Sequence, residues 1–289
     1  MSQIDPRAIA HELGCRGSLS VSMLAENRGK GVWRIDGDRE TFALRVLRPG
    51  EHETALFEER AMTAAAASDA PAPRVAATGT WQDRPVMLLS WCEGQTLREA
   101  IRQRPWEAFR LGSACGRAQA RLHAAAAPAS LPSTPWIFRF GVPDAELRTR
   151  LEAVEHAHVS LLHLDFHMDN VLISKNNVTG LVDWTNACAG DARADLARSW
   201  SLLTRRVAAS ARARASTSLW RVLAAGWDRG YAQVAGSQKD MLLFRVWALT
   251  GLINTSPSEA ENPALAAQLE RLRRRAGLAP ADRSAAPRA

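Results

Sequence analysis

The segment His163-Leu164-Asp165-Phe166-His167-Met168-Asp169-Asn170 gathers four ionisable side chains and an amide into eight residues. Two apolar runs follow, Val171–Ser174 and Val178–Val182, separated by the turn-forming Lys175-Asn176-Asn177. That pattern reads as a β-hairpin. A hairpin reverses the chain, so it returns Asp183, thirteen residues beyond Asn170, to the polar segment it left. Any fold this chain adopts must bury the hairpin and still hold Asp165, Asn170 and Asp183 together at its open end.

The sequence on either side differs in texture. Residues 18–24, Ser-Leu-Ser-Val-Ser-Met-Leu, alternate with a strict period of two and read as a half-buried strand. A polar loop, Glu26–Gly31, leads into Val32–Ile35, and Asp36-Gly37 marks a tight hairpin before Thr41–Leu47. Glu51 to about Ala67 is rich in Ala, Leu, Met and Glu and predicts a helix. Strands near Val75–Trp81 and Val86–Trp91 complete five strands and one helix in the first ninety residues. After Glu93-Gly94 helical patterns take over: Leu97–Arg102, Trp106–Ala126, Ala145–His156 and most of Asp191–Arg275. The expected class is α+β, with a small antiparallel β lobe over residues 1–91, a larger, mainly helical lobe over 92–275, and a disordered tail over 276–289.

Composition narrows the setting. With 46% hydrophobic and 23% charged residues, the 289-residue chain resembles ordinary globular proteins. No apolar run approaches the roughly 20 residues that cross a bilayer, and the first residues lack a secretory pattern. Cys15, Cys92, Cys115 and Cys188 are widely spaced, as expected of reduced thiols in a cytoplasmic protein. Six arginines against one acid in residues 271–289 account for +5 of the net +7, so the remainder is close to neutral. An arginine run closing a helix reads as a solvated end, and neither a nucleic-acid nor a membrane partner is expected. Nothing in the sequence sets an oligomeric state.

The polar segment fits H-x-D-x-x-x-x-N, the catalytic-loop pattern of kinases. Phosphoryl transfer needs a carboxylate beside the incoming hydroxyl and oxygen ligands that hold Mg²⁺ against a triphosphate. Asp165 suits the first task, and Asn170 with Asp183 suits the second. Leu162-His163-Leu164-Asp165…Asn170-Val171-Leu172-Ile173, then Leu181-Val182-Asp183-Trp184…Gly190-Asp191…Asp195-Leu196-Ala197, resembles the aminoglycoside phosphotransferase/choline kinase group. Arg121-Leu122-His123-Ala124 resembles the helix that precedes its catalytic loop, although Leu164 stands where that group has glycine.

The resemblance implies a two-lobed protein-kinase-like fold, ATP and Mg²⁺ as cofactors, and a small-molecule hydroxyl acceptor. It puts Phe42-Ala43-Leu44-Arg45 in the place of the kinase strand V-A-I-K, with Ala43 over adenine and Arg45, instead of lysine, on phosphate. Glu58, or adjacent Glu59, would orient Arg45. Gly29 and Gly31 would let backbone N–H groups approach phosphates, and the backbone at Ser90 and Cys92 would bond adenine. His163 is expected to pack the catalytic loop, and Asp195 to hydrogen-bond its backbone. Among the tryptophans, only Trp184 has a positional claim on the cleft.

The Gly190-Asp191…Asp195 element starts only seven residues after Asp183, which leaves no room for the long peptide-binding segment of protein kinases. A small-molecule acceptor follows, such as an aminoglycoside-like antibiotic or an amino alcohol. Two rival expectations remain. A degenerate, nucleotide-binding regulator would rest on Arg45 and the loose glycine loop. A zinc-dependent hydrolase would use His163, Asp165 and His167 on one strand face, with His156 and His158 upstream.

Overall fold

The structure, a computed structural model, describes residues 4–27, 30–129, 131, 135–154, 159–209, 214–255 and 262–280, with the side chains of 204–209 and 214–217 left aside. It opens on a short helix, α1 (Pro6–Glu12), absent from the expected set of five strands and one helix. Its start is encoded locally: Pro6 occupies the first turn, and Asp5 Oδ1 accepts the N–H groups of Arg7 and Ala8 at 3.1 and 3.0 Å.

Five strands follow: β1 (Ser20–Asn27), β2 (Lys30–Asp36), β3 (Thr41–Val46), β4 (Val75–Trp81) and β5 (Arg84–Ser90). They form one antiparallel sheet in the order β1-β2-β3-β5-β4. Strand parity gives this sheet two different faces. Trp33, Ile35, Leu44, Val46, Val86 and Leu88 point to α1 and pack with Ile9, Ala10 and Leu19. Ala43, Met87 and Leu89 point the other way, toward α2 (His52–Ala67), which buries Ala55, Phe57, Ala61 and Met62.

That second face does not end with the sheet. The same apolar cluster continues through Leu97, Leu111, Phe166, Leu181 and Trp227 into the helical part, so one core spans both lobes. The large lobe contains α3 (Leu97–Gln103), α4 (Ala108–Ala124), α5 (Ala145–Glu152), α6 (Ala192–Ala209), α7 (Arg214–Ala235), α8 (Met241–Thr255) and α9 (Pro263–Ala276). The expected hairpin is present as β8 (Val171–Ser174) and β9 (Asn177–Leu181), joined by the short β6 (Gln95–Thr96). Two further short strands, β7 (Ser160–Leu162) and β10 (Cys188–Gly190), pair beside it.

Helices α4 and α7 touch backbone to backbone. A Cβ at Gly112 or Gly116 would meet the main chain of α7, and one at Gly226 or Gly230 would meet the main chain of α4. A second large-lobe core, with Trp136, Leu147, Phe244, Trp247 and Leu265, lies under α8 and α9. The arginine run at the end of α9 is only partly a solvated end. Arg273 is buried, its Nη1 2.8 Å from Asp144 Oδ2, and its Nε donates to Ala279 O. Gly277 closes α9 in the left-handed region at φ +67°, and Leu278 is buried beyond it. Of the segment expected as a tail, residues 281–289 lie outside the described residues. Among the described residues no helix is long and apolar enough to cross a membrane.

Candidate active site

Between β7 and β8 the loop His163–Asn170 alternates its side chains. Leu164, Phe166 and Met168 are buried, whereas Asp165, His167 and Asp169 are part-exposed. Leu164 enters the core under α8, and Phe166 and Met168 enter the core shared by the lobes. Asp165 and His167 therefore each stand between two apolar anchors, and Asp169 follows the last of them. Leu164 adopts φ +58°, the left-handed region where glycine is relaxed and a leucine costs on the order of 1 kcal/mol.

A buried network holds this backbone from below. Asp195 Oδ1 accepts the N–H of Leu164 at 2.8 Å, and Oδ2 accepts the N–H of His163 at 3.2 Å. His123 Nε2 lies 2.9 Å from the same Oδ2, and its Nδ1 lies 2.9 Å from the Tyr231 hydroxyl. Burial pushes the Asp195 carboxyl up, but the hydrogen bond and charge of His123 and the His163 N–H together hold it below the usual range. His163 is fully buried, accepts the Asp165 N–H on Nδ1 at 3.2 Å and meets the Trp184 ring edge-on. Burial pushes its pKa down, as expected of a neutral ring that packs the loop.

Above the loop, Asn170 Nδ2 donates to Asp165 O at 3.0 Å and to Asp165 Oδ2 at 3.1 Å. With the amide nitrogen so engaged, the Asn170 side-chain oxygen Oδ1 is the atom suited to a cation. Val182 N–H donates to Asn170 O at 2.9 Å, which ties the end of the hairpin to the loop and delivers Asp183 beside it. His167 Nε2 is 3.6 Å from Asp165 Oδ1, and its Nδ1 accepts the Asp169 N–H at 3.1 Å. Asp169 in turn pairs through both oxygens with Arg98 of α3.

The small lobe reaches the same place. Arg45 Nη2 is 2.9 Å from Glu58 Oε1, 3.2 Å from Thr185 Oγ1 and 3.5 Å from Asp183 Oδ1. Glu58, rather than Glu59, is thus the helix partner. Its carboxyl is nearly inaccessible, and burial pushes its pKa up despite the adjacent guanidinium. For Asp183, burial acts upward, but the Arg45 charge and the Thr185 hydroxyl outweigh it and hold the carboxyl low.

Other candidates are placed differently. Gly31 does not face the cleft: a Cβ there would collide with the Trp33 indole, on the α1 side of the sheet. Gly29 lies outside the described residues. Ala43 shares a face with Arg45, paired with Leu89 of β5. Ser90 donates its N–H to Arg74 O at 2.8 Å and accepts the Arg74 N–H on its hydroxyl, and Cys92 packs against Gly180. Burial pushes the Cys92 thiol up to about 11, and the four cysteines are free. Trp184 is not in the cleft. It is 1% exposed, with its indole N–H on Leu181 O, because the core behind Asp183 needs a large apolar filler.

The zinc arrangement fails on geometry. The segment 163–169 is a loop rather than a strand, and the Nδ1 of His163 is turned to backbone in a buried site. Among the described residues no group of three or more His, Cys, Asp or Glu converges as a metal cage. His156 and His158 lie outside the described residues.

The donor set fits a magnesium-bound triphosphate instead. One carboxylate and one amide oxygen are what Mg²⁺ takes when waters and phosphates fill its other positions. Arg45 Nε is buried without a hydrogen-bond partner, a donor suited to a phosphate oxygen. A cavity of about 490 Å³, lined by Cys15, Ile35 and Phe42, lies on the opposite, α1 side of the sheet and has no part in this site. Thr185 and Arg139, whose Nη2 donates to Thr185 O at 2.8 Å, are site residues that the motif pattern did not mark. For Thr185 the available signal is its place two residues after Asp183.

Residues 22–236 match the sequence profile of the phosphotransferase enzyme family. A sequence search of the curated proteins finds no match. Among solved structures, aminoglycoside phosphotransferase APH(4)-Ia is similar at TM-score 0.67 and 16% identity, covering 93% of this chain and 97% of that one. The aminoglycoside-3′-phosphotransferase of type VIII is similar at TM-score 0.58 and 18% identity, covering 83% and 97%. Macrolide 2′-phosphotransferase MphH from Brachybacterium faecium is similar at TM-score 0.54 and 18% identity, covering 96% and 97%. At such identities the likeness is one of fold, and the fold is the expected two-lobed, kinase-like one.

Proposed function

This chain belongs to the phosphotransferase enzyme family and is a small-molecule kinase, and we propose that it transfers the γ-phosphoryl group of ATP, with magnesium, to a hydroxyl of an aminoglycoside-like antibiotic or an amino alcohol. The observation that carries this is the convergence of Arg45, from the small sheet, on Asp183 at 3.5 Å, beside a loop in which Asn170 holds Asp165 at 3.1 Å. Residues 1–91 then form the nucleotide-binding lobe, and 92–275 supply catalysis and acceptor binding.

Asp165 orients the acceptor hydroxyl and takes its proton as the new P–O bond forms. Its carboxylate is kept in place by Asn170 Nδ2, and His167 Nε2 lies 3.6 Å away. Arg45, held by Glu58, presents its remaining donors to the phosphates. Asn170 and Asp183 are the residues that would hold Mg²⁺, which neutralises charge on the phosphate oxygens when bound. In this reading Ala43, which shares a strand face with Arg45, would cover the base, and the backbone from Ser90 to Cys92 would bond its edge.

The acceptor class draws on similarity. A thermostable mutant of APH(4)-Ia was solved with AMP-PNP and hygromycin B, and MphH is a macrolide phosphotransferase. A degenerate regulator would need a site that has lost its chemistry, whereas Arg45 makes the ion pair required of a lysine at that place.

A coupled ADP-release screen over hydroxylated antibiotics and amino alcohols tests the proposal, with Asp165→Asn as blank. Acceptor-dependent release by the wild type alone is the expected result. Equal release by both proteins would refute it.

A further inference from the structure

We infer, on the footing of the function just proposed, that Thr185 is a positioning residue that couples the magnesium aspartate to the Arg45–Glu58 pair, and that it explains the use of arginine at position 45. Three side chains meet its hydroxyl: Asp183 Oδ1 at 2.7 Å, Glu58 Oε1 at 3.0 Å and Arg45 Nη2 at 3.2 Å. A hydroxyl has one proton and two lone pairs, and a guanidinium only donates. Thr185 therefore accepts from Arg45 and offers its single proton to one of two carboxylates. Those carboxylates come from different lobes, Glu58 from α2 and Asp183 from the end of the hairpin.

That shared proton has a preferred position for each state of Asp183. While Asp183 has no cation, its Oδ1 at 2.7 Å is the closer acceptor. When Asp183 serves a cation, its oxygen is a poorer acceptor and the proton turns to Glu58, which tightens α2 onto the site. The residue is well placed to transmit this. Its carbonyl accepts Arg139 Nη2 at 2.8 Å, and the Arg139 guanidinium lies 5.8 Å from the ring centroid of Phe57, the neighbour of Glu58.

Arginine suits this arrangement because it divides two tasks among separate nitrogens. Nη2 serves Glu58, Thr185 and Asp183, while Nε remains without a partner. A lysine has one nitrogen for both the cluster and the phosphate.

The test is calorimetric titration of the full chain with ATP, in magnesium and in EDTA, which reads the gain in affinity that magnesium confers. Thr185→Val keeps the shape and removes the hydroxyl. We expect it to cut the magnesium-dependent gain about tenfold, the scale of a lost hydrogen bond to a charged group, and to leave binding in EDTA within about threefold. Thr185→Ser should recover most of the loss, and in an Arg45→Lys background Thr185→Val should cost markedly less. Thr185→Ala is read in the same way where valine is not tolerated. An unchanged gain in the valine and alanine variants overturns the inference alone, as does a loss that serine fails to recover. A wild type whose ATP affinity is indifferent to magnesium overturns the proposed function itself, and the inference with it.

Discussion

The catalytic-type loop is held from two sides, and each side centres on an aspartate whose pKa is lowered against the effect of burial. Asp195, beneath, is fully buried and accepts two backbone N–H groups and a His123 nitrogen. Asp183, above, is part-exposed and is held by the Thr185 N–H and by two side-chain groups, the Thr185 hydroxyl and the Arg45 guanidinium. Backbone donors cannot turn away, whereas a hydroxyl and a guanidinium can. The lower aspartate therefore sets the shape of the loop, and the upper one keeps one backbone donor and can exchange its two side-chain partners when a ligand arrives.

Breaking this contrast is the most direct way to test it. The largest effect should come from Asp165, which both sides serve: Asp165→Asn should lower kcat by about a thousandfold or more, within the range assigned to general bases, while nucleotide affinity stays within a few-fold. Full turnover by that variant would end the assignment. Asp195→Ala should act on the fold instead. It strands two N–H groups and His123 in the interior, and a loss of about 3–5 kcal/mol is expected in urea denaturation. A marginal change in the denaturation midpoint would mean that the lower side is not structural. Asp183→Asn should leave stability nearly unchanged and weaken magnesium-dependent nucleotide binding, so a magnesium requirement equal to wild type would count against its role.

Leu164 sharpens the comparison further. Glycine there would relieve about 1 kcal/mol of backbone strain, but would empty a fully buried leucine site, at about 2–5 kcal/mol. Leu164→Gly should therefore be destabilising by roughly 1–4 kcal/mol, the difference of those two figures, and a more stable variant would show that strain, not packing, rules the position. The smallest effect concerns pH. His163 and Asp195 both have folded pKa values below those of the unfolded chain, 6.5 and 3.8, so unfolding takes up protons as the medium acidifies. Their contribution is complete above about pH 6.5, declines below it, and declines again below about pH 4 as the folded values are approached. Glu58, raised by burial, acts in the opposite sense above 4.5. The difference in urea midpoint between wild type and Asp195→Asn isolates one group, and it should shrink between pH 5 and 3. A difference that grows on acidification would contradict the sign.

Much of this was legible because it was periodic or local. The period-two run at 18–24, the hairpin after Asn170 and the spacing of Asp165, Asn170 and Asp183 depend on neighbours in the chain; Asn170 bonds Asp165, and the Val182 N–H, next to Asp183, bonds Asn170 O. What escaped notice depends on distant parts. Gly31 stands in a glycine-containing polar loop that suggests backbone near phosphate, yet its missing side chain accommodates the Trp33 ring on the far face. Trp184 adjoins a cleft residue in sequence but lies on the core side of the chain. Arg273 sits in a charge run that looks solvated, and Asp144, which caps α5, with the Ala279 carbonyl makes its burial tolerable. Thr185 carries no motif, and its three partners come from 2, 127 and 140 residues away. The short helix α1 was a different kind of omission, since its Asp-Pro start is a local signal.

The contact between α4 and α7 has a consequence beyond packing. His123 rides on one of these helices and Tyr231 on the other, and their 2.9 Å bond exists only at the spacing that Gly112, Gly116, Gly226 and Gly230 allow. Those four positions act as a shim whose thickness is set at zero. A single added methyl group would be felt as a tilt of the platform on which phosphate chemistry is aimed, in a region that no ligand touches.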